Sequence, residues 1–459
     1  MAERYDTIII GAGFAGLSAG IRLAQFQKRV LILESHKLPG GLNSYYYRGK
    51  GQLYNSGLHT VTNFNAKNRR WGFGLICRNL GIDSGEFRLV PPKHPSALQI
   101  PQGELLFGND PELLRASIAR EFSSQVDGFD RFCADLKSPR DPAVLQRAGS
   151  RELLGEYFTE PRLMDLLELP VYIYGGYREG QIDAATFSTV FRSIFLEGCG
   201  SPPDIKHVLD LLIARFKDLG GELKTRRRVA QIVTDGGRFR GVELADGTVL
   251  EADACLSSAG LAETGQLAGQ VWGDSGDLSV FETVVAMDRP LDELGVDRTL
   301  LMVSLEPEFH WRAPEGRQEY FHLTLAASDN YAFSERPTAH HLKIGCFQKG
   351  SLWLGLDEET YRQEKLRLEE KMLAELTARF PGLLDEPVTH HESLTPKTVV
   401  DYTSHLNGGI YGGCVKSFDG GTPVGGLFVI GNDQAGIGIM GALTSGVIVA
   451  NYKVVLAGN

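Results

Sequence analysis

The stretch from Tyr5 to Glu34, YDTIIIGAGFAGLSAGIRLAQFQKRVLILE, constrains this chain more than any other. Thr7 to Ile10 is a short apolar run of β-branched residues that ends in glycine, the pattern of a buried parallel strand. Gly11, Gly13 and Gly16 follow with GxGxxG spacing. Leu17, Ile21, Leu23 and Ala24 then recur on one helical face. Val30 to Leu33 is a second apolar run, closed by Glu34. In a βαβ unit of this kind the first glycine permits the tight turn and the second lets a pyrophosphate approach the backbone. The third lets helix and strand pack closely. The helix start, with Phe14 and Ala15, offers unpaired N–H groups and the positive end of its dipole to phosphates. Glu34, with Ser35 beside it, falls where a carboxylate accepts hydrogen bonds from a ribose 2′-OH. The same carboxylate disfavours a 2′-phosphate, so FAD or NAD fits better than NADP.

Length and charge bound the rest. The 459 residues suffice for two or three domains, interleaved or not. Apolar content of 42% and charged content of 23% are ordinary for a soluble globular protein. A net charge of −10 argues against a nucleic-acid partner, and the densest basic run, Thr225 to Arg228, is too short to change that. The six cysteines are scattered, with no CxxC and no histidine pairing, which implies a reducing compartment and no structural metal. The chain enters its first strand within about six residues, so no signal or transit peptide is expected. No run of about 18 uninterrupted apolar residues occurs, so no membrane span is expected. These readings place the protein in the cytoplasm.

Beyond Glu34, Gly40–Gly41–Leu42 and Ser44 precede an apolar strand and then Gly57 and His59. Near the other terminus Thr395–Pro396, Gly408 and Tyr411–Gly412 lead to an apolar strand, Gly426 to Ile430. A Gly431–Asn432–Asp433 turn follows, then a glycine-rich helix start from about Ile439. This pattern resembles the carotenoid desaturases, carotenoid isomerases and retinol saturases of the FAD-dependent amine-oxidase-like superfamily. The resemblance implies that Gly40, Gly41 and Leu42 lie along the FAD pyrophosphate and ribityl chain and that the Val229 backbone pairs with the adenine. It also implies that Gly431, Asn432, Asp433, Gly438, Ile439 and Met440 border the flavin. There the helix N-terminus would stabilise negative charge at the N1–C2=O edge, and Asp433 would bond ribityl hydroxyls. His59 has two readings, a residue facing the flavin or a polar residue closing a loop. His59 and Tyr411 are the candidates for catalytic acid or base.

The fold expected is α/β: a Rossmann-type FAD-binding domain with an inserted antiparallel-sheet substrate domain and a helical subdomain. Residues 1–90, 200–280 and 395–459 form the FAD-binding domain, 91–199 the helical lid, and 281–394 the substrate sheet. Within that frame Asn109 to Glu112 starts a helix that runs to about Lys137. Ser150 to Leu169, Pro203 to Leu219 and Asp357 to Phe380 read as helices, and Phe281 to Leu356 reads as strands that include SLWLGL. The tyrosines at 45, 46, 47 and 54 read as strand packing. The aromatic segments Tyr172–Tyr177 and Phe187–Gly198 read as core, with a few positions lining an apolar tunnel. His340–His341 and His390–His391 are adjacent pairs. On a strand they face opposite ways, a poor metal site, and they read as surface or loop residues.

The function expected is an FAD-dependent oxidoreductase or isomerase acting on carbon–carbon bonds by hydride exchange with flavin N5. Its substrate would be a carotenoid-like, retinoid-like or other long unsaturated lipid. The alternatives are an amine- or protoporphyrinogen-oxidase-like flavoenzyme, and a flavin-free prenyl-binding protein like the GDP dissociation inhibitors. The intact glycines and Glu34 weigh against the last. Such substrates live in membranes, which implies that the protein is peripheral to one, although the net negative charge gives no help on anionic lipid.

Overall fold

The protein is described here from a computed structural model, which describes residues 3–49, 51–57, 60–65, 72–137, 149–175, 180, 182–335, 340–434 and 436–456. Two seven-stranded sheets organise it. In the first, Glu3–Ile10 is paired in parallel with Val30–Leu33 on one side and Val249–Ser257 on the other. Glu222–Lys224 extends this parallel part beyond Val30–Leu33. The long strand Val249–Ser257 divides its outer edge. Gly241 to Glu243 pair antiparallel with its first half, and Leu427–Val429 pairs in parallel with its second half. The parallel strands are buried on both faces, which is why they read as unbroken apolar runs. Ile9, Val30 and Ile32 face a helical layer of Phe14–Ala24, Ile205–Asp218 and Gly438–Val449. Ile8, Ile10, Leu31 and Leu33 face the other way, onto Val229, Phe239 and Val242 of the antiparallel meander.

The second sheet joins distant segments. Its order is Val388–Leu394, Leu278–Met287, His340–Lys349, His322–Ala327, Leu300–Ser304, Ser96–Ile100 and Gly103–Phe107. All its pairings are antiparallel except that of Leu300–Ser304 with Ser96–Ile100. Side chains alternate across it. Phe281, Val285, Leu323, Leu325, Leu342 and Ile344 pack under the helix Glu358–Arg379 through Leu368, Met372 and Leu376. That helix starts where Asp357 accepts the N–H groups of Glu359 and Thr360 at 3.1 and 2.9 Å. Leu98, Leu300 and Met302 face the opposite way, toward the aromatic helical region at 111–196.

Several elements differ from the sequence-based expectation. The helix starting at Pro111 ends at Glu121, and Val126–Lys137 is a separate helix across a short turn. Gln125, in that turn, accepts from the Thr159 N–H at 2.9 Å, which anchors the break. The segment from Ser150 is also two helices, Ser150–Gly155 and Pro161–Gly175, and the second continues through Pro170. SLWLGL is not a strand, because Ser351–Leu354 is a short helix. Asp277 accepts from the Ser351 N–H at 2.7 Å and from its hydroxyl at 2.6 Å, so a residue 74 positions away caps the turn. The histidine pairs lie on strands rather than loops, and of the four only His391 is exposed as expected of a surface residue. His341 is buried and stacks on Tyr54 at 4.3 Å, while His340 bonds Asp329 at 2.8 Å.

Candidate active site

A cavity of about 850 Å³ runs from the first glycine turn to the face of the second sheet. At its first end Gly11 adopts φ +97°, and its N–H donates to the Leu33 carbonyl at 2.8 Å. A side chain at Gly16 would stand 2.0 Å from the Gly11 carbonyl oxygen, so only glycine lets the helix begin there. Gly40 adopts φ +113° and donates to the Ala12 carbonyl at 2.9 Å, which locks the second glycine turn onto the first. Glu34 is buried and accepts from the Ala12 and His36 N–H groups, both at 2.8 Å.

Of the residues expected around the cofactor, Gly11, Gly13, Phe14, Ala15, Glu34, Ser35, Gly40, Gly41, Leu42, Val229, Gly431, Asn432, Asp433, Gly438 and Ile439 line this one cavity. Gly16 and Met440 do not: the first serves helix packing and the second is buried in the core. The helices Phe14–Ala24 and Gly438–Val449 both start at the cavity without a side-chain cap and without an acid in the first turn. Their N–H groups are therefore left for a ligand. Asp433 is held by its surroundings. It accepts from the N–H groups of Leu261 and Gly413 at 2.5 and 2.9 Å and pairs with Lys416 at 3.4 Å, with both side chains almost fully buried. Burial pushes the Lys416 ammonium down, against the attraction of Asp433. Glu263, behind Gly260, is pushed up to about 7 by burial. Arg227 and Arg228 reach the cavity from the exposed basic run; Arg227 pairs with Asp246 at 3.0 Å, and Arg228 donates to the Ser404 hydroxyl at 3.0 Å.

The sheet side of the far end is walled by side chains that the sequence did not single out, whereas its helical side comes from the two aromatic segments expected to line a tunnel at a few positions. Val280 and Glu282, Gly345 and Phe347, and His322 and Thr324 line the cavity from three neighbouring strands. Ile173, Tyr174 and Ile194 close it from the helical side. Glu282 pairs with Lys343 at 3.3 Å, and Lys343 also donates to the carbonyls of Asn55 and Gly57 at 2.8 and 2.6 Å. This lysine therefore ties the sheet to the loop that leads to His59, which itself lies outside the described residues. Tyr411 lines the cavity, but its hydroxyl donates to the Ile173 carbonyl, and burial raises its pKa. Tyr45 and Tyr46 also reach the cavity, while Tyr54 stacks on Tyr46. Among the described residues no group of His, Cys, Asp and Glu could hold a metal ion.

The geometry at the first end fits FAD. Two uncapped helix starts, a glycine turn open to the backbone and a carboxylate at the second strand end converge on one elongated cavity. Residues 14–452 match the model of the flavin-containing amine oxidoreductases, and the chain belongs to that family. It is an FAD-dependent oxidoreductase. Among curated relatives, the chloroplastic prolycopene isomerase of Arabidopsis thaliana is 23% identical over 97% of this chain and 82% of its own. A lycopene-forming phytoene desaturase of Pseudescherichia vulneris is 26% identical over 56% of each chain. An oxidoreductase of Methanosarcina mazei has the same fold, with a TM-score of 0.65 over 97% of this chain and 99% of its own at 17% identity.

Proposed function

We propose that this protein acts on a carbon–carbon bond of a long unsaturated, isoprenoid-like lipid, by isomerisation, desaturation or saturation. The observation that carries the reading is the continuity of the cavity from the glycine turn to a largely apolar pocket on the second sheet. The relatives named as prolycopene isomerase and phytoene desaturase support it. FAD, when bound, supplies hydride donation or acceptance. The walls formed by Val280, Leu300, Phe347, Ile173 and Ile194 exclude water and align an extended chain. Glu282 is the one carboxylate that the second sheet presents to the cavity among the described residues, and its pairing with Lys343 fixes its position. We assign it the proton that leaves or joins the substrate carbon.

The substrate would reach the site from a lipid surface. Ile448, Tyr452 and Leu456, 40%, 65% and 57% exposed, recur at fourfold spacing on the C-terminal helix and its extension. Phe418 is exposed beside them, on the loop that Lys453 holds through Asp419 at 2.6 Å. The segment Gly438–Val455 is long and apolar enough to cross a membrane by length and composition, yet 44% of it is buried against the protein. Its inner side is packed on the first helix, where Ser18 donates to the Leu443 carbonyl at 3.0 Å. A surface-lying role suits that geometry better than a spanning one.

The test is anaerobic incubation of FAD-loaded protein, reduced and oxidised, with C20 and C40 polyenes, with products resolved by chromatography. A change in double-bond geometry or number is expected. Glu282→Gln should lower the rate by about 10²–10⁴ while FAD content stays unchanged. Turnover of primary amines with no change in any polyene would overturn the reading.

A further inference from the structure

We infer that Gly345 sets substrate specificity: the side chain that it lacks leaves a notch in the cavity face of the second sheet, and the notch takes a methyl branch of the substrate chain. The inference deepens the lipid reading above and rests on it. In the register of the sheet Gly345 lies opposite Glu282 on one neighbouring strand and opposite Thr324 on the other. Directly paired residues belong to the same face, so Glu282, Gly345 and Thr324 form one row, and all three line the cavity. Along its own strand the next residues on that face are Lys343 and Phe347. Four side chains therefore surround a position that has none.

The backbone does not demand glycine here. Gly345 has no positive φ, and glycine weakens the interior of a strand. A glycine inside a strand often marks a place where a ligand comes close to the main chain. A Cβ built on Gly345 would stand 3.1 Å from the Phe281 carbonyl oxygen and 3.6 Å from Glu282 Cβ, and its three nearest atoms all belong to those two residues. The crowding is thus confined to the adjacent strand, and the space over Gly345 is part of the cavity. Alanine needs only a few tenths of an ångström from its neighbour, so packing alone does not require glycine. Smooth apolar walls hold a long chain equally well in many registers. A methyl branch seated over Gly345 fixes one register, and it brings the carbons next to the branch beside Glu282, the group assigned the proton.

The test is calorimetric titration of FAD-loaded protein with squalene and with the unbranched tetracosahexaene that has the same main chain and double bonds, both on one cyclodextrin carrier. The wild type should bind squalene at least about tenfold more tightly, the discrimination that an apolar pocket for one methyl group gives. Gly345→Ala fills the notch. It should lower squalene affinity about tenfold and leave both the affinity for the unbranched chain and the FAD content unchanged. Adding Thr324→Ala to Gly345→Ala trims the other wall and should return part of the squalene affinity, a result that a merely structural glycine would not give. Equal affinity of the wild type for the two chains would overturn the inference alone, as would a preference that survives in Gly345→Ala. Loss of both ligands in Gly345→Ala would make the glycine a packing requirement and overturn it too. Failure of the wild type to bind either chain would overturn the isoprenoid reading itself.

Discussion

The two ends of the cavity are built by opposite means. At the cofactor end the backbone forms the site: Gly11, Gly13, Gly40 and Gly431 bring main chain to the cavity, and two helices open onto it with uncapped N–H groups. At the substrate end side chains form it, projected from alternate positions of strands far apart in sequence, such as Glu282 and His322. A backbone site depends on close approach, which one added methyl destroys. A side-chain site depends on identity, which substitution changes without disturbing the scaffold. Added bulk at the cofactor end should therefore cost the scaffold, whereas a substitution at the substrate end should change what is bound.

The largest effect should come from Gly16→Ala. Its new Cβ would meet the Gly11 carbonyl oxygen at 2.0 Å and Ile9 Cγ2 at 3.3 Å. A cost at or above the usual range of roughly 1–3 kcal/mol for overpacking is expected, together with loss of bound FAD, read by thermal melting and flavin absorbance. Retention of both would break the comparison at its strongest point. Lys416→Met tests the boundary between the two ends, because it strands the buried Asp433 carboxylate without its cation. Destabilisation of about 3–5 kcal/mol is expected in urea titrations. A loss under about 1 kcal/mol would show that the N–H groups of Leu261 and Gly413 suffice to hold that charge.

A smaller effect separates charge from size at the cofactor end. Glu263 is raised by burial from 4.5 to about 7 in the folded protein. Between those values the folded state holds more of this proton than the unfolded state, so the group's contribution to stability falls as pH rises through the window. Glu263→Gln removes that term. The variant should therefore gain stability relative to wild type between about pH 5 and about pH 8. A pH-independent difference would sink this assignment. His322 and His341, depressed to about 4 and about 3, slope the other way, which is why the comparison must be made between the two proteins. The smallest effect on stability should follow from replacing both Tyr452 and Leu456 with serine. Stability should move by no more than about 0.5 kcal/mol at each exposed site, while partition onto lipid vesicles drops several-fold. Unchanged partition would remove the lipid-facing role from this stripe.

The sequence by itself determined the parallel core, the glycine turns, the acid at the second strand end and the C-terminal helix start. Each of these is a backbone demand that leaves a residue-type trace: glycine where φ is positive or a methyl would clash, unbroken apolar runs where both faces are buried. The helix Glu358–Arg379 was legible for the same reason, since Asp357 caps it locally. Tertiary structure alone decided the rest. SLWLGL became a helix because Asp277 reaches it from a distant segment. His341 became a buried ring because its strand lies inside the sheet, against Tyr54. Glu282 and His322 look in sequence like any polar residues alternating along a strand. Only the packing of the second sheet against the cavity turned them inward, and burial then fixed the charge and tautomer of His322. Local chemistry is written in neighbouring residues. A site assembled from alternate faces of distant strands exists only once those strands have paired.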